Sequence, residues 1–150
     1  MSKEVKIVPF SLDHFDLIDL RPSEQSRMKA DPKMAEKLSA LSTHGYGGTM
    51  LYDGRVIAIF GYIMLWPGVI EVWSFPSIHV KQYSMQYLRT LKRYLDSLSE
   101  IHDIHRLQST AISDDTHDRW MKFLGFTCEG LLRQFSADKV DHKIWGQLVK

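Results

Sequence analysis

The feature that most constrains the fold is a β-hairpin signal near the middle of the chain. The dipeptide Asp53-Gly54 lies between two β-prone runs, Thr49–Tyr52 and Val56–Leu65. Asp-Gly favours the tight two-residue turns that join antiparallel strands, because both residues tolerate a positive φ. After a second turn (WPG), another apolar run extends over Val69–Phe75. The sequence therefore predicts three consecutive strands, which excludes a second half made only of helices.

After these strands, the hydrophobic period changes to that of a helix. From Gln82 to Leu98 the apolar residues recur every three or four positions, as they do in an amphipathic helix. The remaining elements are predicted as a strand at Arg106–Ser113, a helix at Asp115–Leu124 ended by Gly125, and strands at Phe126–Phe135 and Lys143–Val149. This order predicts an α/β fold with a mixed sheet. The expected core side chains include Leu88, Leu91, Leu95, Trp120, Phe123 and Leu124.

The N-terminal part of the chain carries weaker signals. Val5–Pro9 is predicted as a strand, and Leu12–Leu20 as a short helix. The polar stretch Ser23–Ala30 is bracketed by two prolines and is assigned no element. A helix is expected after Asp31-Pro32, because proline is favoured in the first turn. The segment Gly45–Gly48 is predicted to be a turn or a flexible joint.

Length, charge and cysteine content narrow the class of protein. A chain of 150 residues suits one domain, so we expect a single domain over residues 1–150. A formal net charge of +1 argues against a dedicated nucleic-acid binder, which usually carries a strong basic excess. The one cysteine, Cys128, fits a reducing compartment, and no apolar run approaches the ~20 residues of a spanning helix. We therefore expect a soluble cytoplasmic protein that uses neither a membrane nor a nucleic acid as partner.

The element order and three local sequences resemble the GNAT N-acetyltransferases. Leu51–Ala58 (LYDGRVIA) looks like the family's glycine-centred hairpin. Trp120–Gly130 (WMKFLGFTCEG) is similar to the Y-x-k-L-G-F-x-x-x-G stretch that joins the family's last helix to its sixth strand. Arg133 and Phe135 lie where the family's closing hairpin continues. The pattern also resembles small GNAT-like proteins of tailed phages, of the internal virion protein type.

The resemblance implies a GNAT-like mixed central sheet with helices on both faces, and acetyl-CoA as the cofactor. It implies transfer of an acetyl group to an amine acceptor, either a small molecule or a protein. Glu71 lies on the strand where many family members hold the general base, and a carboxylate can take the proton that the amine must lose. The resemblance places the cofactor against Trp73, Phe75, His79, Val80, Lys81, Gln82 and Ser84.

Two departures from the family pattern keep a second function open. The family cradles the CoA pyrophosphate with R/Q-x-x-G-x-G/A, but no glycine occurs here between Gly68 and Gly125. The tyrosine that often protonates the departing thiolate is replaced by Met121, which cannot donate a proton. The alternative is a catalytically inactive GNAT-fold binding protein, or a virion-associated structural protein of a phage, with protein partners.

Each candidate residue also has a purely structural explanation. Glu71 could be a solvated residue on the open face of the sheet, and His79 could be an ordinary turn residue. The basic residues from Lys81 along the long helix also fit a solvated helix face. Among the seven histidines, His102 and His105 lie three positions apart, but this pair falls in a predicted helix-to-strand connector and would need further ligands, so we expect no metal.

Overall fold

Seven strands form one sheet in the computed structural model, which describes residues 4–41, 47–101 and 103–149. The strands are β1 (Lys6–Pro9), β2 (Gly47–Tyr52), β3 (Arg55–Trp66), β4 (Val69–Pro76), β5 (Arg106–Ile112), β6 (Thr127–Leu132) and β7 (His142–Leu148). The helices are α1 (His14–Leu17), α2 (Pro22–Ala30), α3 (Met34–Leu41), α4 (Ser84–Ile101) and α5 (Asp115–Phe123), with a 3-10 turn at Ile78–Lys81. The strand order in the sheet is β1-β2-β3-β4-β5-β7-β6.

The sheet contains both parallel and antiparallel pairs. Strands β4 and β5 run parallel, with Glu71 opposite Gln108 in the register. The pairs β1–β2, β2–β3, β5–β7 and β6–β7 are antiparallel. Parallel neighbours need a long crossover connection, and α4 supplies it between β4 and β5. The predicted mixed α/β sheet is confirmed.

The chain divides into two compact units. Residues up to Ile63 together with Trp73–Tyr87 form unit 1, and Met64–Val72 together with the residues from Leu88 onward form unit 2. Strands β3 and β4 and helix α4 therefore each contribute residues to both units. The single domain expected over residues 1–150 stays a prediction.

Unit 1 is built on the middle of β3. Its residues Ile57–Phe60 are at most 1% exposed, so both faces of the strand are covered and the sequence is apolar without alternation. On β2, a Cβ at Gly48 would lie 2.8 Å from both Phe60 Cζ and Ile7 Cγ2. Close packing within a strand therefore requires this glycine. The predicted turn or joint was wrong for Gly47 and Gly48, and the rest of that segment lies outside the described residues.

The N-terminal helices differ from the sequence prediction in two respects. The polar stretch assigned no element forms α2, with Pro22 in its first turn. Glu24 of this helix is 1% exposed, and Arg21 and Ser23 both donate hydrogen bonds to its carboxylate. Such partners make it possible to bury a charged group. This helix was missed because it has no apolar stripe. Helix α3 follows Asp31-Pro32 as predicted, and α1 spans only part of the helix expected there.

Unit 2 buries one face of α4 and part of α5. Leu88, Leu91 and Leu95 are buried, as the helical period predicted. Phe123 is 41% exposed, so its predicted place in the core was wrong, and Met121 is buried instead. At 100° per residue, Met121 and Leu124 lie 60° apart around α5, whereas Phe123 projects from another side.

Candidate active site

In unit 1 a short turn joins the end of β4 to the start of α4, and its backbone is hydrogen-bonded within the unit. The N–H of Ser77 donates to the carbonyl of Ile57 at 2.8 Å, and the N–H of Ile78 donates to the carbonyl of Asp19 at 2.8 Å. Ser77 Oγ accepts from the N–H of His79 at 3.1 Å. The N–H groups of Val80, Gln82 and Tyr83 donate to the carbonyls of Ser77, His79 and His79. These donors are therefore already engaged.

The side chains of this turn contact other parts of unit 1. His79 Nε2 lies 3.4 Å from Asp19 Oδ2. The Tyr83 ring packs edge-on against Tyr52, with ring centroids 4.8 Å apart, and its hydroxyl accepts a hydrogen bond from Arg55. Val80 is buried, whereas Lys81 and Gln82 are exposed. His79 and Tyr83 are thus held by Asp19 and by the β2–β3 hairpin.

Free donors lie at the beginning of α4 rather than in the turn before it. Among the described residues, the N–H groups of Ser84, Met85 and Gln86 have no acceptor. The first turn of a helix leaves such groups unpaired, and the helix dipole adds a partial positive charge there. Lys81 is exposed three residues before α4 and adds a full positive charge. This donor set fits an anionic group such as the pyrophosphate of acetyl-CoA.

Trp73 and Phe75 belong to an aromatic cluster in unit 1. Trp73 packs edge-on against Phe10 at 5.6 Å, and Phe75 against Phe15 at 5.5 Å, between ring centroids. The Arg27 guanidinium lies 5.2 Å from the centre of the Phe75 ring. Trp73 Nε1 is buried, and among the described residues it has no hydrogen-bond acceptor. The side chains of these two candidate cofactor residues are thus fixed by aromatic packing.

A buried tyrosine lies close to the same stretch of β4. The hydroxyls of Tyr87 and Ser74 are hydrogen-bonded at 2.8 Å. Burial raises the pKa of Tyr87 to about 12, although its hydrogen bond with Ser74 acts in the opposite direction. A phenol with so high a pKa is a poor proton donor near neutral pH. We therefore interpret this pair as a structural link between β4 and α4.

In unit 2 the candidate base Glu71 is half-buried and is the first member of a chain of polar contacts. Glu71 Oε1 accepts a hydrogen bond from Gln108 Nε2 at 3.1 Å. Gln108 Oε1 in turn accepts from Arg106 Nε at 3.1 Å. Arg106 also donates two hydrogen bonds to the Glu129 carboxylate, of 3.0 and 2.6 Å. The structure therefore joins Glu71, through β5, to a charged pair that ends on β6.

The Arg106–Glu129 pair is charged over a wide pH range. The hydrogen bond from Arg106 lowers the pKa of Glu129, and the same bond raises the pKa of Arg106. Both effects favour the ionised forms, and the two parallel N–H···O bonds define the orientation of the guanidinium.

Position 121, where the family often holds a tyrosine, contributes no proton donor. Met121 is 7% exposed and belongs to the core of unit 2. Asp114 caps α5 by accepting a hydrogen bond from the N–H of His117 at 2.8 Å.

In the described ranges, no three His, Cys, Asp or Glu side chains form a group that could hold a metal ion. Likewise, no described helix combines the length and the apolar character that crossing a membrane requires.

The sequence analysis did not identify Gln108 or Arg106. These polar residues alternate with Leu107, which indicates that they share one face of β5. From that alternation, both residues could have been proposed as neighbours of Glu71 on the adjacent strand β4. The register that places Gln108 opposite Glu71 could not be derived from the sequence, because it depends on how β4 and β5 pair.

Solved structures show which fold this is. An acetyltransferase of the GNAT family from Bacillus anthracis aligns with a TM-score of 0.69 and 14% identity, over 97% of this chain and 95% of that chain. Ard1 from Thermoplasma volcanium aligns with a TM-score of 0.73 and 13% identity, over 97% and 98%. The microcin C7 self-immunity acetyltransferase MccE, in complex with acetyl-CoA and AMP, aligns with a TM-score of 0.69 and 11% identity, over 97% and 93%. The chain therefore has the fold of GNAT acetyltransferases. Neither a family model nor a curated protein matches the sequence.

Proposed function

We propose that this protein is a GNAT-like acyltransferase that transfers an acetyl group from acetyl-CoA to an amine acceptor. The proposal rests on two features of the chain, one before Trp73–Phe75 in the sequence and one after it. Glu71 precedes these residues on β4, and the helix that follows begins with three N–H donors that have no acceptor in the part of the chain that the structure describes. The fold supports the proposal, and so does the presence of acetyl-CoA in the structure of MccE.

The beginning of α4 would hold the cofactor's phosphates. Ser84, Met85 and Gln86 would donate their backbone N–H groups, and Lys81 would contribute its charge. Acetyl-CoA would supply the acetyl group as a reactive thioester. Glycines are not needed for this arrangement, because the donors lie in the helix and not in the turn before it. Gln82 would then make its predicted contact through its exposed side chain, since its N–H group is engaged. Val80 is buried and its N–H group is also engaged, so it would support the turn from within.

Glu71 would be the general base. An amine is protonated near neutral pH and must lose a proton before its lone pair can attack a carbonyl, and a carboxylate can take that proton directly or through water. Glu71 is half-buried, and its Oε1 is bonded to Gln108. Backbone N–H groups of Trp73–Phe75 would stabilise the negative charge that develops on the acetyl oxygen. As the C–N bond forms and the C–S bond breaks, CoA would leave as the thiolate and take its proton from water, because position 121 holds a methionine.

A second function is favoured by the turn at Ser77–Tyr83. The N–H groups of Ser77–Val80, Gln82 and Tyr83 all donate to acceptors within unit 1, as expected of a structural turn that binds no phosphate. In this alternative the chain keeps the fold without catalysis and acts as a binding or virion-associated protein with protein partners. The two functions differ in whether acetyl-CoA binds.

Calorimetry and thermal unfolding with acetyl-CoA test the proposal. We expect millimolar acetyl-CoA to raise the Tm, because a ligand that binds only the folded state stabilises it. Lys81→Glu should weaken binding, and more so at low salt, where charges are less screened. Lys33→Glu is the matched control, because it makes the same charge change at another exposed lysine of unit 1.

Glu71→Gln completes the experiment, because it separates binding from turnover. The variant should bind acetyl-CoA as the wild type does, while acetyl transfer to an amine panel falls by about 10²- to 10⁴-fold, as for other lost general bases. If the wild type shows neither binding heat nor a Tm shift, the acyltransferase proposal is refuted and the binding role takes its place.

A further inference from the structure

We propose that Gln108 is a positioning residue for Glu71, and that Arg106 and Glu129 hold Gln108 in the required orientation. This inference rests on the proposed function of Glu71 as the base. It concerns residues of unit 2 only, and it starts from the register that places Gln108 directly opposite Glu71 in the parallel pair of β4 and β5.

The orientation of the Gln108 amide follows from the chemistry of its two neighbours. A guanidinium has donors and no acceptors, and an ionised carboxylate has acceptors and no donors. Gln108 lies between the two, with its oxygen 3.1 Å from Arg106 Nε and its nitrogen 3.1 Å from Glu71 Oε1. Rotating the amide by 180° would place nitrogen against guanidinium and oxygen against carboxylate, losing both bonds. Arg106 therefore determines that Gln108 presents a donor to Glu71.

Arg106 is itself held at three nitrogen atoms. Its Nε bonds to Gln108, and its two terminal nitrogens bond to the two oxygens of Glu129 at 3.0 and 2.6 Å. A planar guanidinium bound on both edges in this way has little freedom to rotate. The position of the Gln108 amide is therefore linked to a carboxylate on β6.

Gly146 makes this link possible, because β7 lies between β5 and β6 in the sheet. Gly146 is paired with Gln108 on one side and with Thr127 on the other. A Cβ at Gly146 would lie 2.5 Å from Glu129 Oε2 and 2.7 Å from Arg106 Nη1. The absence of a side chain here lets the two charged groups meet over β7.

The consequence for Glu71 is a carboxylate with one oxygen occupied and one available. Oε1 accepts from Gln108, and among the described residues Oε2 has no partner. The chain Glu129–Arg106–Gln108 thus holds Oε1 and leaves Oε2 for the amine. Gln108 acts through Glu71 and is not itself a catalytic residue.

Steady-state kinetics with three variants test the proposal. Gln108→Met keeps the length of the side chain and removes its hydrogen bonds. We expect kcat to fall about 10- to 100-fold while KM for acetyl-CoA stays unchanged, because a misplaced base slows the reaction without affecting cofactor binding. Gly146→Ala should lower kcat in the same way, with a loss in Tm no larger than that caused by removing the exposed Arg106–Glu129 pair through Glu129→Gln. Asp118→Asn, which breaks the Lys143–Asp118 pair of unit 2, is the control and should leave kcat unchanged.

NMR of the Gln108 side-chain amide provides a readout that does not require activity. In ¹⁵N-labelled protein, Glu71→Ala and Gly146→Ala should each shift the two amide proton signals, whereas Asp118→Asn should not. Unmoved signals in both variants, or an unchanged kcat in Gln108→Met, would overturn the inference. If the wild type transfers no acetyl group, the proposed function fails, and the amide shifts still decide whether Gln108 holds Glu71.

Discussion

The Ser74–Tyr87 pair of unit 1 and the Arg106–Glu129 pair of unit 2 each join two elements by side-chain hydrogen bonds, but in opposite surroundings. Tyr87 is 4% exposed and its partner is a neutral hydroxyl. The side chains of Arg106 and Glu129 are 22% and 40% exposed, and both are charged. Removing charges from water costs more than removing neutral groups. In these two pairs, neutral groups join the elements where water is excluded, and ions join them where water remains.

Glu24, a buried carboxylate of unit 1, is an exception to this contrast. Glu24 is 1% exposed, and Arg21 and Ser23 both donate to it. Arg21 lowers the pKa of Tyr87 and Glu24 raises it, while burial has the largest effect. The two charges thus shift the pKa of Tyr87 in opposite directions, and burial determines the direction of the net shift.

The largest expected effect concerns the buried pair at high pH. The pKa of Tyr87 is raised from 10.0 to about 12, so the folded state holds this proton more tightly than the unfolded state. The stabilisation that this proton gives the folded state is fully present below pH 10 and is lost as the pH rises through 12. With about 1.4 kcal/mol per pKa unit, the loss is about 3 kcal/mol. About half of this loss, about 1.4 kcal/mol, should be reached at pH 11. Urea unfolding at pH 8, 10 and 11 measures this half, and Tyr87→Phe should remove this part of the pH dependence. An equal loss in the variant would contradict it.

A smaller effect is expected from the same pair near neutral pH. Ser74→Ala removes the hydrogen bond to Tyr87 and should lower the free energy of unfolding by about 1 kcal/mol, the usual net value for such a bond. Tyr87→Phe should have a similar effect, and the double variant should lose little more than either single variant. Chemical unfolding of all four proteins at pH 7 gives this cycle. Fully additive losses would show that the two hydroxyls do not interact.

The smallest effect is expected from the exposed pair. Glu129→Gln should lower the free energy of unfolding by less than about 1 kcal/mol, because water and salt screen exposed ions. The pKa of Glu129 is lowered by Arg106, so the contribution is present above its ordinary value of 4.5 and is lost as the pH falls below it. Thermal unfolding from pH 7 to pH 3, at low and at high salt, compares wild type and variant. A difference in Tm between wild type and variant that is as large at pH 3 as at pH 7 would contradict the assignment to this ion pair.

The sequence predicted those elements whose pattern depends on local structure alone. The Asp53-Gly54 turn and the apolar face of α4 both follow from short-range periodicity, and both agree with the structure. Helix α5 was predicted, but the choice of Phe123 as a core residue was wrong, because a nine-residue helix offers too few turns to define its buried face. Helix α2 was missed because its stability involves buried ionic contacts rather than an apolar stripe.

For the candidate site, the sequence determined which residues with suitable chemistry lie on β4 and in the turn that follows, including Glu71 and Lys81. Only the tertiary structure decided what surrounds them. It decided that Gln108 faces Glu71, that Gly146 lets Arg106 reach Glu129, and that the free donors begin at Ser84. The physical reason is the separation along the sequence over which each kind of interaction acts. Periodicity and turn chemistry act between residues close in sequence, whereas the register of β4 on β5 and the hydrogen bonds across β7 join residues far apart in the chain.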